Sequence, residues 1–304
     1  MERVRGRQIP ARPVANLALV VFAWGGNYTW VKLGLEDIGP WAFNAWRYGL
    51  AAVLLGLWLA ARRGAAALVP VPGERSAIAV TGLLQVVVTT ACTTLSLDRV
   101  EASRTVLIAY TMPVWSVLFG RAAARERAEA PAFWPALFGL SGLALLFSPW
   151  TMDCWATRAA IEGSLLALAA AWAWAAGALV YRSRLWRSQM WSQVSGQILP
   201  AAVVMAVLAL AFEARPTAAT PQLVAVLAWN ALVPTILGFR AWAKALERLP
   251  VTTASQVLLL SPVVGVALSA AVLGESVNPA LAAAAALTFT GSLLALRRSA
   301  SSTA

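Results

Sequence analysis

The chain has 304 residues, 60% of them hydrophobic and 12% charged, with a mean hydropathy of +0.70. A soluble domain carries roughly 25% charged residues, so a soluble enzyme is excluded and an integral membrane protein is expected. The net charge of +11 comes from basic residues in short turns between apolar runs, the pattern of anchors at an anionic leaflet rather than a nucleic-acid surface.

A membrane helix needs about 20 apolar residues, and ten such spans are expected. Met1 to Pro13 is basic, but the apolar run after it is too long for a signal-peptide core and lacks a cleavage pattern. It is read as the lead into span 1, at 14–35, where Trp24, Asn27 and Tyr28 share one face. Lys32, near the end of this span, is expected to snorkel. Span 2 (40–61) carries Arg47 about two turns in. Span 3 (76–97) carries Thr81, Gln85, Thr89, Cys92 and Ser96 three or four residues apart, hence on one face. Gln85 is its costly member, because a primary amide in hydrocarbon must find partners or water.

Span 4 (101–121) places Tyr110 one turn before Pro113, and span 5 is 132–150. Span 6 (161–182) contains Trp172 and Trp174, and span 7 is 188–211. Span 8 (222–244) offers Trp229 and Asn230, with Arg240 close enough to its end to snorkel. Span 9 (251–273) offers Gln256 and Pro262, and span 10 is 279–297. Turns fall where Gly and Pro cluster, at Gly39-Pro40, Val71-Pro72-Gly73, Pro131, Pro149, Pro216, Pro250 and Asn278-Pro279. Trp30, Trp41, Trp58, Trp150, Trp155, Trp186 and Trp191 lie near span ends and are read as an interfacial belt. Alternating barrel strands of about 10 residues do not fit this spacing.

With a cytoplasmic N-terminus, 17 of the 24 basic residues fall in cytoplasmic turns. The opposite side holds only Arg99, Arg104, Arg158 and Arg215. This asymmetry places both termini inside.

The chain also repeats itself. Moved by 149 positions, Leu97-Asp98-Arg99 meets Leu246-Glu247-Arg248, Pro113 meets Pro262, Glu126 meets Glu275 and Gly142 meets Gly291. At an offset of 150, Trp24 meets Trp174. Five helices per copy is an odd number, so the copies, 14–150 and 161–297, enter the membrane in opposite senses. Inverted repeats of this sort place a substrate site near the bilayer midplane, between the halves. Pro113 and Pro262 are read as matched kinks inside helices 4 and 9, freeing the carbonyls of Ala109 and Leu258 and providing hinges.

Trp24-Gly25-Gly26-Asn27, Lys32-Leu33-Gly34 and Trp46-Arg47-Tyr48 resemble the opening of an EamA domain. Ala245-Leu246-Glu247-Arg248-Leu249-Pro250, Leu260-Ser261-Pro262-Val263 and Gly274-Glu275 resemble its close. The first copy departs from the closing pattern, with Thr111-Met112-Pro113 and Arg125-Glu126. The resemblance, to the drug/metabolite transporter superfamily, covers nearly the whole chain. It implies an all-α integral membrane protein of ten transmembrane helices in two inverted five-helix EamA repeats. It also implies export of small metabolites, often amino acids, as in bacterial aromatic amino-acid exporters. Because relatives with different cargo share an arginine at the Arg47 position, a structural ion pair is expected there.

The expected lining is Trp24, Asn27, Tyr28, Gln85, Thr89, Tyr110, Trp174, Trp229, Asn230 and Gln256: aromatic faces with a few amides and hydroxyls. It suits a partly apolar ligand without net charge, including a zwitterion. The thirteen acids, from Glu2 to Glu275, are placed in the tail or loops, leaving no carboxylate at mid-membrane. A proton relay usually needs one there, or a histidine, and the chain has no histidine. Facilitated diffusion or exchange by alternating access is therefore expected over proton antiport.

No cofactor or metal is expected: only Cys92 and Cys154 could supply thiolates, and no Gly-x-x-x-x-Gly-Lys-Ser/Thr loop occurs. A small-cation or multidrug exporter would want an acid among the aromatics, and a lipid-modifying membrane enzyme would want acidic or basic clusters at headgroup level. The expected partners are a small-molecule substrate and the lipid bilayer, not nucleic acid. The expected form is a monomer or weak homodimer, multi-pass in the inner (plasma) membrane.

Overall fold

The computed structural model describes residues 11–122, 157–246, 260–277 and 279–287, with isolated positions between 137 and 145 and at 258, 289 and 290. Most of span 5, the first part of span 9 with Gln256, and the end of span 10 lie outside the described residues. The principal elements among the described residues are helices. Four runs, Arg75–Leu97, Arg158–Tyr181, Met190–Phe212 and Pro221–Trp242, are long and apolar enough to cross a membrane. At ~1.5 Å per residue, such runs reach the roughly 30 Å of hydrocarbon.

Span 1 is two helical pieces, α1 (Ala11–Gly25) and α2 (Asn27–Gly34), which meet at Gly26. The join is where two backbones cross. A Cβ on Gly25 would collide with the carbonyl of Ser261, and one on Gly265 would sit 2.9 Å from the carbonyl oxygen of Gly25. Glycine is required on both sides of this crossing, as close-packed membrane helices require. Span 2 is the continuous helix α3 (Pro40–Arg63), opening on a proline whose missing N–H would have had no helical partner.

Span 3 is not uniform. Between α4 (Arg75–Gly82) and α5 (Thr89–Leu97), residues Leu83–Val88 form a π turn. Span 8 does the same: α10 (Pro221–Asn230) and α11 (Gly238–Leu246) flank a π turn at Ala231–Leu237. The two π turns coincide when the chain is moved by 149 positions. Pro234 lies inside the second. Its missing N–H deprives the Asn230 carbonyl of a donor, and the Thr235 hydroxyl donates to that carbonyl instead, at 2.8 Å.

Span 4 breaks at Tyr110–Thr111 into α6 (Ala102–Ala109) and α7 (Met112–Ala122). In span 9, Leu260 is a turn and α12 (Ser261–Leu273) starts after it. The prolines expected inside continuous helices therefore stand at the second residue of a fresh one, Pro113 in α7 and Pro262 in α12. The physical reason is that proline is preorganised for a helix start and disruptive in its interior. Spans 6 and 7 are α8 (Arg158–Arg182) and α9 (Met190–Phe212), with the Thr157 hydroxyl capping α8 through the Ala160 N–H. Helices α3 and α9 pack along their length, around Leu55, Leu59, Ile198 and Met205.

Three carboxylates collect backbone N–H groups, two of them at helix starts, where free N–H groups gather. Glu213 accepts from the N–H groups of Trp41 and Ala42, at 3.0 and 3.2 Å. Glu275, just past the left-handed Gly274 (φ 68) that ends α12, accepts from Ala102 and Ser103, at 2.6 and 2.9 Å. Glu74 is buried and accepts from Arg187 and Ser188 ahead of α9, at 2.7 and 2.9 Å. Hydrogen bonding from Ser188 first, then the Arg187 N–H, holds its carboxyl below the usual carboxylate range. Each of the three joins one half of the chain to the other. Lys32 does not snorkel: its ammonium donates to the carbonyls of Leu97 and Val100, at the end of α5, because those carbonyls have no helical partner. Arg215 reaches Asp98 at 3.0 Å and Arg99 reaches Glu162 at 3.5 Å, tying the same end across the halves.

Candidate functional site

Trp24 leaves α1 toward span 8. Its indole N–H donates to the Pro234 carbonyl at 2.9 Å, and its ring meets Phe239 and Trp242 at 5.7 and 6.0 Å. The matching contact in the other half joins spans 3 and 6, where the Gln85 amide donates to the Trp174 carbonyl at 3.4 Å. The Gln85 stem lies where a side chain on Gly177 would collide with it. Thr89 donates to the Leu84 carbonyl at 2.8 Å and reaches the Ala170 carbonyl at 3.4 Å. Trp24, Gln85, Thr89 and Trp174 thus sit at helix contacts beside the two π turns.

A second group lies where spans 1, 2, 3 and 4 converge. Tyr28 of α2 and Tyr110, at the break of span 4, bring their rings to 6.2 Å. The Tyr48 hydroxyl shares a hydrogen bond of 2.8 Å with Thr90. Arg47 points to this interior, 9% exposed, while its neighbour Trp46 faces outward at 57%. The Arg47 guanidinium lies 5.1 Å from the Tyr48 ring centroid, and its charge acts on the Tyr28 hydroxyl. The ion pair expected for Arg47 is not formed: no carboxylate stands within 4.0 Å of it among the described residues, and its Nε has no partner. The acids are engaged elsewhere, three of them by backbone N–H groups, and none projects from the middle of a described span.

Trp229 and Asn230 form a third group with Trp30. The rings of Trp30 and Trp229 are 5.6 Å apart, and both indole nitrogens are buried without partners, as are the side-chain oxygens of Asn230 and Asn27. Trp30, assigned from its position to the interfacial belt, belongs here instead, because the break at Gly26 turns α2 against α10. Arg104, counted from sequence among the turn residues, is 3% exposed within α6; Nε and Nη2 lack partners, and among the described residues Glu101 is the carboxylate that approaches, at 4.0 Å. A proline within span 8, followed by threonine, was the available sign of the second π turn. Nothing local marks the lack of an acid beside Arg47.

A separate cavity of about 170 Å³ lies between spans 3 and 7, lined by Gly82, Leu83, Gly196, Pro200 and Val204 among others. Leu83 is 49% exposed, so this is an apolar groove on the lipid-facing surface, away from the polar groups.

Two regions of the chain, residues 12–148 and 161–297, match the EamA-like transporter family. The uncharacterized transporter YoaV of Bacillus subtilis (strain 168) is 26% identical over 247 residues, 80% of this chain and 82% of the relative. An uncharacterized transporter of Archaeoglobus fulgidus is 24% identical over 249 residues, 81% of this chain and 84% of the relative. A solved crystal structure of a protein aligns with a TM-score of 0.67 at 20% identity, over 95% of this chain and 98% of that one, which shows a shared fold.

Proposed function

This chain belongs to the EamA-like transporter family, and from that premise we infer that it exports small metabolites, amino acids with aromatic side chains foremost. Its relatives point to a multi-pass membrane transporter rather than an enzyme. One observation carries the substrate reading: tyrosine rings lie beside a buried guanidinium, tryptophan rings and amides form a further interior cluster, and no carboxylate stands among them in the described residues. Such a lining accepts an apolar ring and a zwitterion and repels a cation, which disfavours small-cation export.

The transporter works as a facilitator or exchanger in the inner membrane, with both termini cytoplasmic. The two halves alternate access about the breaks at Tyr110–Thr111 and Leu260. Flux from liposomes tests this directly, using labelled phenylalanine, tryptophan, leucine, glucose and tetraethylammonium. Phenylalanine and tryptophan moving fastest supports the reading; tetraethylammonium moving while the amino acids do not overturns it.

A further inference from the structure

Arg47 carries a charge that nothing described in the protein neutralises. It is 9% exposed and lies on the inward face of α3 with Phe43, Asn44, Ala51 and Leu55, all buried. Among the described residues it has no hydrogen bond or ion pair, only the face of the Tyr48 ring at 5.1 Å. An uncompensated cation inside a membrane protein is costly, and such groups are kept where they meet a partner of opposite sign. Arg104, another buried guanidinium, has Glu101 at 4.0 Å and is partly answered by it. Arg47 has no such neighbour among the described residues.

The surroundings specify the missing partner. Tyr28 lies within electrostatic reach of Arg47, and its ring is 6.2 Å from that of Tyr110, tilted by 52°. Asn27, adjacent to Tyr28, has a buried side-chain oxygen without a donor. A planar fork of donors beside aromatic rings matches a carboxylate on an aromatic carbon skeleton.

We propose that Arg47 is the carboxylate-binding residue of the transport pathway, so that the transported molecule itself supplies the countercharge missing from the protein. This rests on the transporter reading above and narrows it to carboxylate-bearing cargo. A ligand carboxylate here makes a fork-to-fork pair in a poorly hydrated interior, where charge-assisted bonds are strongest.

The test uses the purified full-length protein, measuring thermal stabilisation by added ligand and flux in liposomes. The probes are phenylalanine, 3-phenylpropanoate (no ammonium), phenylalaninamide (no carboxylate) and sodium chloride. Phenylalanine and 3-phenylpropanoate should stabilise wild-type protein, and phenylalaninamide and chloride should not. Arg47→Gln should raise the phenylalanine concentration needed for half-maximal stabilisation by about 30-fold or more. Arg47→Lys should retain part of the response, because it keeps the charge and loses the fork.

If Arg47→Gln responds to phenylalanine as wild type does, the proposal falls. If Arg47→Gln does not fold, the wild-type ligand series decides: equal responses to phenylalanine and phenylalaninamide, or to phenylalanine and chloride, overturn it. If phenylalanine does nothing but 3-phenylpropanoate stabilises the wild type and loses its effect in Arg47→Lys or Arg47→Gln, the amino-acid reading falls and the carboxylate site stands. If no carboxylate stabilises wild-type protein, the site falls even where flux of other solutes supports a transporter.

Discussion

The indole N–H of Trp24 closes on the backbone carbonyl of Pro234, 210 residues away, at 2.9 Å. Its counterpart in the other half is the Gln85 amide on the Trp174 carbonyl. Trp24 and Trp174 correspond at an offset of 150, and Gln85 and Pro234 at 149, so in each half the first helix is tied to a π turn of the other half, with the donor on the first helix in one case and in the π turn in the other. Partners for carbonyls loosened from regular helical bonding must come from neighbouring side chains or water in a membrane. The two contacts are built differently, one from an indole and the other from an amide.

The difference in geometry gives the first prediction. Trp24→Phe keeps the ring packing against Phe239 and removes the indole donor to the Pro234 carbonyl. Thermal unfolding in detergent should register a loss of about 1–3 kcal/mol. Gln85→Leu gives up a contact of 3.4 Å to a carbonyl inside α8, and should cost under about 1 kcal/mol while slowing amino-acid flux. Equal melts for the two variants would show that the indole bond carries no weight, and full flux in Gln85→Leu would remove Gln85 from the pathway.

Pro113 and Pro262 stand at the second residue of fresh helices, where a backbone N–H has no helical partner, so replacing either with alanine breaks no hydrogen bond. Stability should change by no more than about 1 kcal/mol in either variant. Transport should nevertheless slow, because alanine lets the broken span join into one helix and favours one state over the other. With the two copies inverted, as proposed, the two variants should favour opposite states. Single cysteines near Asp98 and near Glu74, in a background without Cys92 and Cys154, would report this by labelling from each side of the membrane. Normal flux with unchanged labelling in both variants would make the breaks static.

Flux should persist without a pH gradient and should leave the pH of the liposome lumen unchanged. No described span carries a carboxylate at its middle and the chain has no histidine, so a proton has no side chain to ride on there. An entrapped pH dye reads the outcome. Uphill substrate movement driven by an imposed proton gradient would defeat the argument.

Glu74 links the loop before α4 to the turn before α9, and its carboxyl titrates below the ordinary 4.5 because Ser188 and the Arg187 N–H stabilise the charged form. A depressed folded value means the carboxylate's contribution is fully present above the unfolded value and is lost as pH falls through the folded one. Glu74→Gln should therefore melt lower than wild type at pH 7, and the two melting curves should converge as the pH is taken below about 4. A gap that stays constant across that range would show that the charge contributes nothing.

Composition and spacing sufficed for much of this protein. Hydropathy alone requires a membrane, since so few charges cannot cover a soluble surface. The offset of 149 finds the repeat and pairs Pro113 with Pro262, because a repeat is a property of the string itself. Local spacing also puts Trp24, Asn27 and Tyr28 on one helix face. Which partner each polar group takes is another matter, because that depends on the rotation of each helix about its axis and on how closely its backbone approaches a neighbour. The crossing of Gly25 over Ser261, the two π turns, the capping of α5 by Lys32 and the gathering of Glu74, Glu213 and Glu275 onto N–H groups all follow from those distances. So does the isolation of Arg47. An ion pair needs an acid that arrives within about 4 Å in three dimensions, and packing alone commits the acids elsewhere.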